Sequence, residues 1–175
     1  MNTSSKFVVA THVLTGLAGK REYFCEGTTT SSKMLAESVN TNPVVIRRIL
    51  AMLNKAGLII SKPGSNGGAL LSRNPNKITL DEIYRAVNEN EGLFHSHYRA
   101  PSSVCPIGAN IQTAMGKVIN KVEKLVEDYF ATVTLKKIMD DTLGMSGILE
   151  YLNEGLTAEE IEKKLLSGEI KVNQN

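Results

Sequence analysis

The stretch from Thr30 to Ile60 constrains this chain more than any other. TSSKMLAESVNTNPVVIRRILAMLNKAGLII reads as two short helices with a joint of three to four residues. The first begins at Thr30, Ser31 or Ser32, whose hydroxyls can accept from a free first-turn amide, and Met34, Leu35 and Val39 make its apolar side. Ala36 is small, as close crossing by a second helix needs. Asn40 and Thr41 break the pattern. Asn42-Pro43 restarts it, because Asn caps the free amides and Pro already has a helical φ. Val45, Ile49, Met52 and Leu53 continue an apolar face, and Arg47 and Arg48 project elsewhere. This pattern fits a helical hairpin of any purpose. It also fits a helix-turn-helix whose second helix enters the DNA major groove.

The residues that follow favour the second reading. Ala56-Gly57 ends the helix with a left-handed cap. Leu58, Ile59 and Ile60 are β-prone, the run Lys62-Pro63-Gly64-Ser65-Asn66-Gly67-Gly68 is turn chemistry, and Ala69-Leu70-Leu71 returns as a second strand. Two helices followed by a glycine-rich hairpin make a winged helix, and glycines let the wing backbone approach phosphates. The expected DNA contacts are Ser32, then Asn42, Val44, Val45, Arg47 and Arg48 of the recognition helix, then Lys62, Asn66 and Arg73 of the wing. Whether Arg47 or Arg48 reads guanine or holds phosphate is open at this level.

Charge follows the same division. Residues 1–85 hold eleven Lys/Arg against five Asp/Glu, a surplus of +6, whereas residues 86–175 hold nine against thirteen, or −4. Phosphate neutralisation needs the basic surplus in the DNA-reading half.

Upstream, a helix starts at Ser4 or Ser5, buries Phe7, Ala10, Val13, Leu14 and Leu17, and ends near Gly19-Lys20; His12 beside that face is a structural histidine. Downstream, Thr79-Leu80-Asp81-Glu82 is a capping box opening a helix that buries Ile83, Ala86 and Val87. A polar loop over 88–106 holds His95, His97 and Cys105. These, with Cys25 in the polar connection 20–29, are the candidate sensing residues. Their spacing matches no standard metal site, so no metal is expected.

The longest helix is expected from Ile107 to Leu135. Its Ile111, Met115, Val118, Val122, Leu125 and Tyr129 advance alternately by four and three, the pattern of a helix packing along another. A small domain already has its core upstream, so this face is expected at a dimer interface. A short helix over Thr134 to Leu143, a linker at Gly144-Met145-Ser146-Gly147 and two more short helices follow. The last opens on the capping box at Thr157 and carries Ile161, Leu165 and Leu166, and Lys171 to Asn175 should fray. The fold class is mainly α with a small β-wing. The expected division is a winged helix-turn-helix domain over 1–88, a loop over 89–106, a dimerisation region over 107–143 and a helical extension over 144–175.

The 175 residues suffice for one domain and an extension, and with 5% aromatics and no Trp the core must be aliphatic. Two distant cysteines make no disulfide scaffold. Neither a signal peptide nor a membrane span is legible, so a cytoplasmic protein is expected. No nucleophile–base set or phosphate-binding loop points to an enzyme.

Several segments together carry a resemblance. Leu35-Ala36-Glu37, Val45-Ile46-Arg47-Arg48-Ile49-Leu50, Leu53-Asn54-Lys55-Ala56-Gly57-Leu58-Ile59, Gly67-Gly68, Ile78-Thr79-Leu80-Asp81-Glu82-Ile83 with Ala86-Val87, and Cys105-Pro106-Ile107-Gly108 run in the order of the Rrf-two family of bacterial transcription regulators. That family includes iron–sulfur, nitric-oxide and cysteine-metabolism regulators, and the resemblance covers roughly residues 5–140. It implies a dimeric winged-helix protein on double-stranded DNA, usually a repressor on a palindromic operator, with sensing chemistry near Cys105. The chain departs from the pattern in two places. Members with an iron–sulfur cluster carry three clustered cysteines before the long helix. Here only Cys105 stands there, too few thiolates for the usual ligation, so no cofactor is expected. The wing reads Lys62-Pro63-Gly64 and Gly67-Gly68-Ala69 where the family commonly has Arg-Gly and Gly-Gly-Tyr, leaving Lys62 or Asn66 as the wing contact. The function expected is a homodimeric repressor responding to thiol oxidation or a small effector. The competing reading is a protein-interaction module on the same scaffold without DNA function.

Overall fold

The computed structural model describes residues 3–23, 29–64, 67–88, 94 and 99–173. Cys25, Asn66, His95 and His97 lie outside them. The elements are α1 (Thr3–Tyr23), α2 (Ser32–Val39), α3 (Pro43–Lys55), β1 (Ile59–Lys62), β2 (Gly68–Leu71), a 3-10 turn (Pro75–Lys77), α4 (Leu80–Asn88), α5 (Pro106–Thr132), α6 (Leu135–Ser146), α7 (Ile148–Asn153) and α8 (Ala158–Ser167). The chain is thus mainly helical with one small antiparallel wing.

Local chemistry sets the joints. Ser31 Oγ accepts from Met34 N at 3.2 Å and starts α2. Asn40 ends it at φ 54°, a left-handed conformation that Asn tolerates better than most residues. Asn42 Oδ1 accepts from Val44 N at 2.8 Å, and Pro43 takes the first helical position of α3. The strands pair from Ile59 opposite Leu71 to Lys62 opposite Gly68. Thr30 adds one rung: its N–H donates to Ala69 O and its carbonyl accepts from Ala69 N, both at 2.9 Å. That rung passes so close to Gly68 that a Cβ there would lie 2.5 Å from Thr30 O, so the position needs glycine. The wing is thereby tied to the entry of α2.

The core centres on one face of α1. Ala10, Val13, Leu14, Leu17 and Ala18 are buried there, and Leu35, Ile46, Ile49, Leu53, Leu71, Ile83 and Val87 join them from the other elements. Of the apolar positions expected for α1, Ala10, Val13, Leu14 and Leu17 are buried and Phe7 is partly buried; Ala18 is an addition. Three details differ. α1 continues through Gly19-Lys20 to Tyr23, where Lys20 and Arg21 complement the negative end of the helix dipole. Met34 is 49% exposed, so α2 buries Leu35 and Ala36 instead. In α3 Ile46 is fully buried, whereas Val45 and Met52 are only partly so.

Further differences lie downstream. α5 stops at Thr132, not Leu135. Leu80 N donates to Val133 O at 2.9 Å and Leu135 N to Ile78 O at 2.8 Å, a short bridge that pulls the chain out of its helix. Thr134 then caps α6, and Leu135 and Met139 are buried in the first core. The expected split of 107–143 from 1–88 therefore does not follow the buried contacts, since α6 packs with α1. Gly144 to Ser146 is helical, and only Gly147, at φ 77°, turns the chain. Both capping boxes form, Thr79 with Glu82 and Thr157 with Glu160. α8 buries Ala158 and Ile161, but Leu166 is 84% exposed because it lies off that face. Residues 171–173 lie outside regular structure, yet Asn173 N donates to Ser146 O at 3.1 Å and closes the extension on itself.

Leu14→Ala should lower the unfolding free energy in urea by about 2–5 kcal/mol, because it empties the centre of this core. Val8→Ala, on the exposed side of α1, should change it by less than about 0.5 kcal/mol. Equal losses would contradict the central place of that face.

Candidate nucleic-acid interface

The exposed side of α3 follows from its buried side. Successive residues are about 100° apart, and Ile46, Ile49 and Leu53 point inward. Val44, Ala51 and Lys55 therefore lie on the opposite, exposed side. Arg47 and Arg48 stand on either flank of it, both exposed. No residue of α3 is acidic.

The two arginines face different surroundings. Arg47 lines a groove of about 500 Å³ between α3 and the wing. Ser31 and Ser32 reach that groove from the start of α2, Ser61, Lys62 and Gly64 from the wing, and Ala51 from α3; none of its described lining residues carries a carboxylate. Arg48 lines a smaller cleft, about 280 Å³, with Lys6 of α1 and the apolar Val45, Ile49 and Met52. The structure thus brings Ser32, Arg47 and Lys62 to one groove and places Arg48 and Val45 in another.

Two expected contacts are occupied. Asn42 uses its side-chain oxygen to cap α3. Arg73 is tied inward: it pairs with Glu82, and its Nε donates to Lys77 O at 3.1 Å and its Nη1 to Gly57 O at 3.4 Å. It braces the base of the wing against the end of α3 and the start of α4. Sequence reasoning missed Ser31, Ala51, Lys55, Ser61 and Lys6. The helical period of α3 contains Ala51 and Lys55, and the alternation of the wing contains Ser61. The approach of Lys6 is purely tertiary.

Among the described contacts, the anchors of α5 lie at its C-terminal end. Phe130 stacks on Phe7 at 5.0 Å between ring centroids, and Tyr84 meets both rings edge-on at 5.8 Å. Arg85 joins α4 to α5 through Glu127 at 3.2 Å and also pairs with Asp81 at 2.9 Å. No residue of α5 is buried. Of its expected stripe, Ile111 is half-buried, while Met115, Val118, Val122, Leu125 and Tyr129 are exposed, Leu125 by 61% and Tyr129 by 66%.

Cys105 is the N-cap residue of α5 and is exposed. Its sulfur makes no full cap hydrogen bond, but the N–H groups of Gly108 and then Ile107 lie close enough to lower its pKa from the ordinary thiol value. Among the described residues no three His, Cys, Asp or Glu side chains are grouped to share a metal ion, and none of the described helices is long and apolar enough to cross a membrane.

A helix-turn-helix with a basic exposed side, followed by a wing that forms a cationic groove with it, defines a winged-helix DNA-binding transcriptional regulator. The Rrf2 family, described as an iron-dependent transcriptional regulator, matches residues 3–141, and the chain belongs to this Rrf2 (Rrf-two) family. It is 38% identical over 137 residues to YwnA of Bacillus subtilis, a protein named among the HTH-type transcriptional regulators, covering 78% of this chain and 96% of YwnA. A solved structure assigned as a DNA-binding protein is 36% identical, with TM-score 0.59, over 77% of this chain and 98% of that one. A solved transcriptional regulator from Lactobacillus plantarum is 25% identical, with TM-score 0.65, over 86% and 98%. The family and its relatives are regulators, so the chain is not an enzyme. The end of α6 with α7 and α8 lies beyond the matched family region.

In a Cys25→Ser background, alkylation of Cys105 by iodoacetamide should have its pH midpoint below about 8.5, the ordinary thiol value. A lowered pKa leaves more thiolate at neutral pH, and the rate is lost as pH falls through that pKa. A midpoint at or above the ordinary value would contradict the contact with the first turn of α5.

Proposed function

We propose that the protein is a cytoplasmic homodimeric repressor that places two recognition helices in successive major grooves of a palindromic operator. The observation that carries this reading is the bare apolar stripe of α5, with Val118, Leu125 and Tyr129 each more than half exposed. Exposed side chains of this size gain about 1.5–3 kcal/mol each on full burial, so a seam of them favours a partner helix. A second copy supplies the same seam, and two-fold pairing is the commonest closed assembly. Dimer symmetry then asks for two half-sites about 34 Å apart. The recognition helix contributes Asn42, Val44, Val45, Arg47 and Arg48, and the wing contributes Lys62 and Asn66.

Cys105 is the input in this reading. It opens the same helix that carries the seam, it is exposed, and its thiol is shifted towards the reactive thiolate. Oxidation there would alter the start of α5 and so the dimer. A small effector bound near α5 is the competing input.

Light scattering on the wild type should return twice the chain mass, and Leu125→Glu should return one chain mass with an unchanged helical circular dichroism spectrum. Arg47→Ala and Arg48→Ala should each weaken binding to an operator selected from random DNA while the dimer persists. A monomeric wild type would refute the dimer, and unchanged affinity in both arginine variants and their double would refute the recognition helix. If Cys105→Ser loses DNA binding on oxidation as the wild type does, Cys105 is not the input.

A further inference from the structure

The two arginines of α3 stand about 100° apart, on either side of the exposed centre of the helix, and each shares its cleft with a cation from another element. Arg47 shares its groove with Lys62 of the wing, and Arg48 shares its cleft with Lys6 of α1. An α-helix with its side chains is about 10–12 Å across, and the major groove is about 12 Å wide. A helix lying in that groove fills it. Its exposed side meets base edges, and its flanks meet the two walls, each of which is a sugar–phosphate backbone.

We propose that the Lys6–Arg48 cleft holds a backbone phosphate of the DNA strand opposite the one gripped between α3 and the wing, so that both arginines are phosphate contacts and the short residues between them face the bases. This rests on α3 being the helix in the major groove. The strand between major and minor grooves passes through the groove of Arg47 and Lys62, because the wing lies on its far side. The other strand then runs along the flank that carries Arg48.

The chemistry of the cleft fits that occupant. Its described lining has two cations and no carboxylate. The first turn of α1, which contains Lys6, has no acidic residue, so the positive end of that helix adds to the field. Val45, Ile49 and Met52 form an aliphatic floor against which the C–H face of a deoxyribose can lie. At about 280 Å³ the cleft is below the range of about 300–1,000 Å³ usual for enclosed small-molecule sites. Guanine reading requires a bidentate approach to a base edge from within the groove. Arg48 stands on the flank instead, and Val44 and Ala51 occupy the centre, suited to thymine methyl groups.

The test uses the full-length protein and its selected operator, with affinity measured across salt concentrations and on a panel of single-base-pair operator variants. Lys6→Gln and Arg48→Gln should each lower affinity by the same factor on every DNA in the panel and reduce the log–log salt slope by about 2, one contact for each protomer of the dimer. Lys6→Arg should restore that slope, and Val44→Ala should change preference at one base pair. Thermal melting of each variant checks that the fold is kept. Relaxed preference at a single base pair in Arg48→Gln would make it a base reader and overturn the proposal. So would wild-type affinity and slope in Lys6→Gln. Displacement of operator by inorganic phosphate at constant ionic strength, seen in the wild type and lost in Arg48→Gln, would make the cleft a free-anion site and also overturn it. A wild type with no salt-dependent DNA binding is a separate result, in which the reading of α3 itself fails.

Discussion

The buried face of α1 is the constraint on which the rest of the structure depends. Ala10 and Ala18 are small enough to let neighbouring helices approach, and Val13, Leu14 and Leu17 fill the space between them. α2, α3, α4, α6 and β2 all pack on this one helix. The recognition helix therefore has no independent orientation. Its angle to the wing is set through Ile46, Ile49 and Leu53 in the shared core, then fixed from outside by the Thr30–Ala69 rung and by Arg73. A DNA reader needs such rigidity, because side chains must reach a groove wall and a base edge in one pose.

α5 contrasts with this. Its C-terminal end is locked by Phe7, Tyr84 and Phe130 and by the Arg85–Glu127 pair, while its N-terminal end has no comparable anchor among the described contacts. At 27 residues it is about 40 Å long, which carries Cys105 far from the core that orients α3. The aromatic cluster joins α5 directly to α1 and α4. A displacement of α5 thus has a packed route into the core, through the same helix that holds α3 in place.

Much of this was legible in the chain itself because it rests on short-range chemistry. Asn42-Pro43, Gly57, the Thr79–Glu82 box and the Thr157–Glu160 box act within a few residues, and each forms as its spacing implies. Less local features were read less well. Period alone puts Met34 on the apolar side of α2, but this eight-residue helix packs on α1 and α3 and buries Leu35 and Ala36. Arg73 looked like a wing cation. In the structure it bonds to Gly57, Lys77 and Glu82, which are brought together by the turn at the base of the wing. The break of α5 at Thr132 could not be anticipated, because it comes from a bridge to Thr79 more than fifty residues earlier.

By itself the sequence determined the order of helices and wing, their caps, the basic reading half and the apolar seam of α5, since periodicity and capping are properties of neighbouring residues. Only the tertiary structure decided that α6 belongs to the first core, that Arg73 faces inward, and that Arg47 and Arg48 serve different clefts. Two adjacent arginines have the same local chemistry. What separates them is the 100° turn of the helix combined with the neighbours that packing supplies, the wing on one flank and Lys6 of α1 on the other.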